Sequence, residues 1–289
     1  MRWEEIDVGE QSFDEQNRAV YETAEAVAPG WERRRAFIED VTAPAREWLV
    51  RELAPQPGDT VLELACGAGD TGFDAAAVVG ANGRLISTDF SPSMVEASRR
   101  RGAERGVDNA EYRVVDAQRI DLDENTVDGV LCRFGFMLMP DPAAAMSETR
   151  RVLRPGGRAA LTVWGPPDAN PNFALLGVAL VQAGHMPPAD PEGPGIFALA
   201  SEERLRGMLA AAGFGEVRTE EVAVRFRYSD IDEYMAVTND TGGPIALVLA
   251  ELSDDERNAI VDRIEEGFAP FAVGGGYEVP GRTLCALAS

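Results

Sequence analysis

The stretch Val61-Leu-Glu-Leu-Ala-Cys-Gly-Ala-Gly-Asp70 constrains the fold of this 289-residue chain more than any other. Its apolar residues flank one acid and predict a buried strand, and the glycines that follow predict a sharp turn into a helix over 71–79. Because Gly67 and Gly69 lack a Cβ, the backbone can take positive φ there and a ligand can approach it closely. The helix N-terminus adds unpaired N–H donors. This turn is therefore predicted to be a ligand site.

Two cofactors fit this turn. Gly72 completes a G-x-G-x-x-G pattern, and Asp89 follows the next predicted strand at about the spacing of the acid that binds a dinucleotide ribose. Glu63, however, lies near the carboxyl end of the first strand, where its charge would repel a pyrophosphate and attract an ammonium group. S-adenosylmethionine (SAM) carries such a group. Glu63 thus favours SAM over a nicotinamide dinucleotide.

Strand and helix patterns alternate regularly over residues 60–164, which predicts an α/β fold with a doubly wound, mostly parallel sheet. Such sheets bind ligands at the carboxyl ends of their strands, where this chain has Glu63, Asp89, Asp116 and Arg133. The three acids suit a ligand that combines a positive charge with an adenosine. The hydroxyls and the exocyclic amine of an adenosine can donate hydrogen bonds to carboxylates. Arg133 has two readings: it could orient an acidic acceptor or pair with a structural carboxylate.

The chain is expected to have three segments. Residues 1–54 form an N-terminal helical lid, in which Pro29-Gly30 separates two helices and Trp31 is a further candidate for contact with the cofactor. Residues 55–165 form the SAM-binding, Rossmann-like core. Residues 166–289 complete the same domain with the last two strands and with helical insertions that cap the substrate.

Four motifs of the core, in order and spacing, resemble those of the small-molecule branch of the class I SAM-dependent methyltransferases, near the ubiquinone and menaquinone C-methyltransferase group. The motifs are residues 61–69, 88–94, 115–117 and 151–157. Ala65 stands where that family most often has its first glycine. The resemblance implies a seven-stranded, mostly parallel sheet, SAM as the cofactor, and transfer of its methyl group to a small acceptor.

The resemblance also implies a role for each cofactor-binding candidate. Glu63 faces the ammonium group by the charge argument above. The implied roles of the others are Gly67 and Gly69 beside the methionine part, Asp89 on the ribose hydroxyls, Phe90 and Met94 against adenine, Asp116 with Ala117 at the adenine amine, and the backbone at Arg133 near the methionine ammonium.

The chain contains one histidine and no lysine. Without lysine there is no Schiff base with pyridoxal phosphate and no phosphate-binding lysine of the Walker type, and one histidine excludes a multi-histidine metal site. No metal is expected. His185 is the candidate general base because its pKa normally lies near neutrality; Tyr228, Tyr234 and Tyr277 are further candidates.

Composition limits the partners and the location. A net charge of −22 opposes binding to nucleic acids and anionic membranes. The absence of an apolar run of membrane-spanning length and of a signal-peptide pattern favours the cytoplasm, and the abundance of Ala, Gly, Arg and Pro favours a bacterial source. A monomer or homodimer is expected.

The predicted cap is apolar, which favours a small, fairly hydrophobic acceptor and O- or C-methylation, with N-methylation as a third choice. Its apolar residues are Phe134, Phe136, Met137, Phe173, Leu175, Leu176 and Met186. Two other functions remain open at this point: an NAD-dependent oxidoreductase, and a SAM-binding protein without catalytic activity.

Overall fold

The protein is built around one mixed β-sheet, seen in a computed structural model that describes residues 15–190 and 193–289. In this part of the chain the strands are β1 (Thr60–Leu64), β2 (Arg84–Asp89), β3 (Ala110–Val114), β4 (Val127–Arg133), β5 (Leu153–Trp164), β6 (Val217–Tyr228), β7 (Ala272–Val273) and β8 (Gly276–Ala288). They follow the order β3-β2-β1-β4-β5-β8-β6, and the short β7 pairs with β8 off this path.

The first five strands pair in parallel, whereas β8 runs antiparallel to both β5 and β6. The predicted doubly wound, mostly parallel sheet is therefore confirmed, with β7 added to the seven expected strands. The strand order reverses beside β1, because β2 lies on one side of it and β4 on the other. Ligands bind at such a reversal, so the glycine turn after β1 lies at the expected crevice.

Helices cover both faces of the sheet and its carboxyl edge. They are α1 (Glu15–Leu53), α2 (Asp70–Val79), α3 (Pro92–Arg105), α4 (Pro142–Val152), α5 (Pro171–Gln182), α6 (Glu202–Ala211), α7 (Ile231–Thr241), α8 (Pro244–Glu251) and α9 (Asp254–Phe268). The last three lie between β6 and β7 in the chain. No helix within the described residues combines the length and apolarity needed to cross a membrane.

The N-terminal segment differs from the sequence prediction. We expected two helices separated at Pro29-Gly30, but α1 runs without a break through that pair and through Pro44. A proline inside a helix costs roughly 3 kcal/mol locally, so tertiary contacts must offset it. Two of them are the ion pairs that Arg33 and Arg34 form with Asp240 of α7, at 2.5 and 2.6 Å. Residues 1–14 of the expected lid lie outside the described residues.

Neighbouring residues of the central strand face opposite layers of the core. Val61 packs in one cluster with Trp48 of α1 and Phe73 of α2. Leu62 packs on the other side in a cluster that includes Met146 of α4. All five of these apolar side chains are almost fully buried, and each stabilises the fold by about 1.5–3 kcal/mol. The sheet is thus fixed between two helical layers, which holds its carboxyl edge in place.

Candidate functional site

The turn after β1 takes a left-handed backbone conformation at three positions. Ala65, Gly67 and Gly69 have φ of +52°, +52° and +87°. The Cys66 N–H donates to Thr88 O at 2.9 Å, and the Gly69 N–H donates to Cys66 O at 2.8 Å, so backbone hydrogen bonds fix the loop. A Cβ built on Gly67 would meet no atom within 4 Å. The space beside Gly67 therefore leaves room for a ligand on the backbone.

Glu63 supports the start of α2. Its side chain is buried, and its two oxygens accept from the Gly72 N–H at 2.7 Å and from Ser87 Oγ at 3.1 Å. Because a Cβ on Gly72 would collide with this carboxyl group, the third glycine of the pattern makes room for the acid. Burial raises the pKa of Glu63 to about 8. The negative charge of Glu63, which favoured a SAM ammonium in the sequence, is thus disfavoured in the fold. Both hydrogen-bond donors to its carboxyl group are groups of the protein.

Asp89 joins the glycine turn to the start of α3. Its Oδ2 accepts from the Gly67 N–H and its Oδ1 from the Ser91 N–H, both at 2.9 Å. Burial raises the pKa of this carboxyl group, and the two N–H bonds oppose the increase. Each oxygen can accept a further hydrogen bond, so Asp89 has capacity for ligand hydroxyls. Met94, half-buried, donates its N–H to the Ser91 hydroxyl that caps α3.

A residue of α1 holds the same helix start. Glu25 accepts hydrogen bonds from the hydroxyls of Ser91 and, at 2.6 Å, Ser93. On the same side, the ring of Tyr21 meets Phe90 edge-on with centroids 5.6 Å apart. Glu25 gave no signal in the sequence, because it precedes Ser91 by 66 residues and no local pattern connects the two.

Asp116 lies at the neighbouring strand end. It is buried just after β3, and its carboxylate accepts from the backbone N–H of Gln118 at 2.9 Å and from the amide of that side chain at 3.1 Å. The Val115 N–H donates to Asp89 O at 3.0 Å, which brings the ends of β2 and β3 together. Ala117, next to Asp116, is also buried. The candidates for the ribose and the adenine therefore share one edge of the sheet.

Arg133 at the end of β4 is bound by α1. Its guanidinium donates to Thr42 Oγ1 at 2.6 Å and to a carboxylate oxygen of Glu39. The side chains of Arg133 and Glu39 are each 14% exposed. Of the two readings that the sequence left open for Arg133, the structure shows the structural ion pair. Neither Glu39 nor Thr42 gave a signal in the sequence.

Aromatic rings gather beside Arg133. Phe134 stacks on Trp164 with ring centroids 4.5 Å apart and an angle of 13° between the planes. Trp164 in turn contacts Phe173 at 4.8 Å. Phe134 has φ of +61°, an uncommon conformation for a bulky residue, and its N–H donates to Thr162 O at 2.9 Å. Phe134 and Phe173 were predicted as part of an apolar cap, whereas Trp164 was not, because its sequence context indicates only the last residue of a buried strand.

Trp31 contacts α7. Its indole N–H donates to the carbonyl oxygen of Thr241, the last residue of α7, at 3.2 Å, and the side chain is 37% exposed. Trp31 faces α7 because α1 packs along α7 at this point. In the structure Trp31 is thus a contact between two helices.

His185 lies just after the C-terminal end of α5. Its backbone N–H donates to Leu180 O at 2.9 Å, a hydrogen bond to the last turn of that helix. This helix has 12 residues, so about 18 Å separate that end from Pro171. Hydrogen bonds from Ser253 lower the pKa of the exposed Glu256, and the nearby His185 lowers it further. The imidazole therefore lies near the start of α9.

Comparisons with known proteins agree with this arrangement. Residues 61–157 match the family model described as a methyltransferase domain. The chain is 30% identical to nocamycin O-methyltransferase of Saccharothrix syringae over 256 residues, which are 84% of this chain and 91% of that protein. It is 35% identical to demethylmenaquinone methyltransferase of Clavibacter sepedonicus over 117 residues, 40% of this chain and 46% of that protein. The second alignment thus spans less than half of that relative.

The fold also occurs among solved structures. The YcgJ protein of Bacillus subtilis superimposes with a TM-score of 0.58 over 84% of this chain and 97% of that one, at 17% identity. This likeness supports the fold, and the long alignment with the O-methyltransferase supports the family. Together they overturn the nicotinamide alternative and confirm SAM as the cofactor. The chain belongs to the SAM-dependent methyltransferases.

Proposed function

We propose that this enzyme transfers the methyl group of SAM to a small, fairly hydrophobic acceptor, with oxygen or carbon favoured over nitrogen as the receiving atom. The observation that carries the proposal is the group of contacting rings formed by Phe134 after β4, Trp164 at the end of β5 and Phe173 in α5. Pockets for small molecules are mostly lined by such side chains. The similarity to an O-methyltransferase that acts on nocamycin supports the same class of acceptor.

We further propose where the cofactor binds. The open space beside Gly67 and the spare acceptor capacity of Asp89 support a methionine part over the turn and a ribose at the end of β2. The remaining proposed contacts are Gly69 beside the methionine part, Phe90 and Met94 against adenine, Asp116 and Ala117 at the adenine amine, and the backbone at Arg133 near the ammonium. Glu63 is proposed to act through the loop that it supports, not through its charge.

SAM supplies an electrophilic methyl group on a sulfonium centre. The protein's share of catalysis is then proximity, orientation and exclusion of water. We propose that α1 excludes water as a lid, because Glu25 fastens it to the start of α3 and Glu39 fastens it to Arg133. The helices α5 and α7–α9 are proposed to close the acceptor side. A general-base role for His185 stays a proposal, and its position at the end of α5 gives it no support.

The proposals on partners and location rest on the sequence. The net charge of −22 supports an enzyme of small molecules without a nucleic acid partner. A cytoplasmic location, a bacterial source and a monomeric or homodimeric state stay predictions.

Calorimetric titration of the purified protein with SAM, S-adenosylhomocysteine and NADH tests the cofactor. We expect binding of both sulfur compounds and none of NADH. Production of S-adenosylhomocysteine with a panel of phenols, enols and amines then tests the acceptor. A SAM-binding protein without activity would bind the cofactor and methylate none of them, and methylation of amines alone would overturn the preference for oxygen and carbon.

A further inference from the structure

Asn172 is a buried polar residue among the aromatic side chains of the cap. It lies in the first turn of α5 and is 5% exposed. The Tyr228 hydroxyl donates to its Oδ1 at 2.9 Å, and the Tyr234 hydroxyl donates to its backbone oxygen at 3.0 Å. Both tyrosines are themselves buried, and the ring of Phe37 from α1 lies 5.4 Å from that of Tyr228. Asn172 is therefore held from two sides.

The other end of this amide lacks a partner. Among residues 15–190 and 193–289, no hydrogen bond satisfies the two N–H groups on Nδ2 of Asn172. Nδ2 is not among the fully buried polar atoms without a partner in this part of the chain, so the small exposed area of Asn172 includes this nitrogen. Burial raises the pKa of Tyr228 well above its usual value, which keeps its hydroxyl protonated and able to donate to Oδ1. The Nδ2 end is thus available to a ligand.

The neighbouring residue connects Asn172 to the methyl-transfer site. Phe173 contacts Trp164, and Trp164 stacks on Phe134 at the end of β4. The next residue, Gly135, packs against Ala65, since a Cβ on Gly135 would lie 2.6 Å from the Ala65 Cβ. The row of rings therefore extends from Asn172 to the turn where the methionine part of SAM is proposed.

We infer that Asn172 determines acceptor specificity, and that the site takes a flat aromatic acceptor whose phenolic or carbonyl oxygen accepts from Asn172 Nδ2. Phe134 and Phe173 are half-buried and leave ring surface on which a flat acceptor can pack, whereas the buried Trp164 supports both rings. Arg133 is already paired with Glu39, which favours a neutral acceptor over a carboxylate. This inference rests on the proposed function and narrows its substrate class.

The test compares three ligands on the full chain saturated with S-adenosylhomocysteine: 2-naphthol, its saturated counterpart decahydro-2-naphthol, and naphthalene. Calorimetry should show 2-naphthol binding about tenfold more tightly than either of the others, because only it has both a flat ring and an oxygen. Asn172→Ala should weaken 2-naphthol binding about tenfold and leave S-adenosylhomocysteine affinity unchanged within about twofold. The matched control is Val178→Ala, on the same helix at a residue that is 51% exposed, which should change neither affinity.

Two results would overturn the inference in a protein that still binds S-adenosylhomocysteine. One is equal affinity of the wild type for the three ligands, and the other is equal affinity of the wild type and Asn172→Ala for 2-naphthol. Failure of S-adenosylhomocysteine to bind the wild type would overturn the proposed function as well, so the two failures differ. If Asn172→Ala does not fold, Phe173→Leu replaces it. That variant keeps an apolar side chain without a flat ring and should lose the preference for 2-naphthol over decahydro-2-naphthol. A retained preference would contradict the proposal.

Discussion

The Cβ of Ala65 occupies space that Gly135 leaves free. A Cβ built on Gly135 would lie 2.6 Å from it and 2.7 Å from Cys132 Sγ. Ala65 has φ of +52°, where a side chain costs roughly 1 kcal/mol relative to glycine. The turn after β1 and the turn after β4 therefore depend on each other for their shape, although 70 positions separate them in the chain.

This relationship predicts that Gly135→Ala destabilises the protein by about 1–3 kcal/mol through overpacking. Adding Ala65→Gly should recover part of the loss, because it removes one of the two colliding groups and the strain at positive φ. Urea unfolding of the wild type, both single variants and the double variant measures the coupling. Strictly additive changes would mean that the two turns do not constrain each other.

The pKa of Glu63 predicts a pH dependence of stability. Burial raises it from 4.5 to about 8. Between these values the folded protein holds a proton that the unfolded chain has released, so the free energy of unfolding falls as pH rises from about 4.5 to about 8. Glu63→Gln can keep both hydrogen bonds and does not titrate. Melting temperatures from about pH 5 to about pH 8.5 should show a growing advantage of the variant; parallel curves would contradict the prediction.

Asp89→Ala is expected to weaken SAM binding by about 1–3 kcal/mol, the range for a lost hydrogen bond to a charged group. Calorimetric titration measures the change. Because Asp89 also accepts from Gly67 and Ser91, circular dichroism must show that the variant is folded, and Asp89→Asn serves as the control that keeps an acceptor oxygen. Unchanged affinity in folded Asp89→Ala would remove Asp89 from the ribose site.

Glu39→Ala should destabilise the fold by about 2 kcal/mol, because it leaves the mostly buried Arg133 with Thr42 alone. The matched control is Glu52→Ala on the same helix, whose partners Arg51 and Arg218 are 59% and 56% exposed; it should cost less than about 1 kcal/mol. Urea unfolding compares them. An equal loss of stability in the two variants would mean that the buried ion pair between Glu39 and Arg133 does not stabilise the packing of α1 against β4.

His185→Ala tests the proposed general base. If the histidine removes a proton from the acceptor, the variant should bind SAM normally and transfer the methyl group about 10²–10⁴-fold more slowly. Production of S-adenosylhomocysteine with an accepted substrate over a range of pH measures this. Full activity with an unchanged pH profile would leave His185 as a residue of the loop after α5.

Sequence patterns were sufficient to predict those elements whose structure depends on a few neighbouring residues. The cap and proline before α3 predicted its start, and Ser91 indeed accepts from the Met94 N–H. The break expected at Pro29-Gly30 was wrong: α1 continues through the pair, where Gly30 packs against the backbone of Asp240 in α7 and Arg33 and Arg34 pair with the Asp240 carboxylate. Helix propensity describes the local conformational preference of a residue. The free energy of contacts with a helix that is distant in the chain can outweigh that preference.

The sequence by itself determined the doubly wound sheet, the position of the glycine turn at its switch point, and the family, because hydrophobic periodicity and glycine placement act over short distances along the chain. Only the tertiary structure decided what the charged residues do. Glu63 meets the Gly72 N–H inside the fold, and Arg133 pairs with Glu39, 94 positions earlier. The physical reason is that a charge interacts with whatever the folded chain brings within a few ångströms, and sequence spacing does not specify that distance.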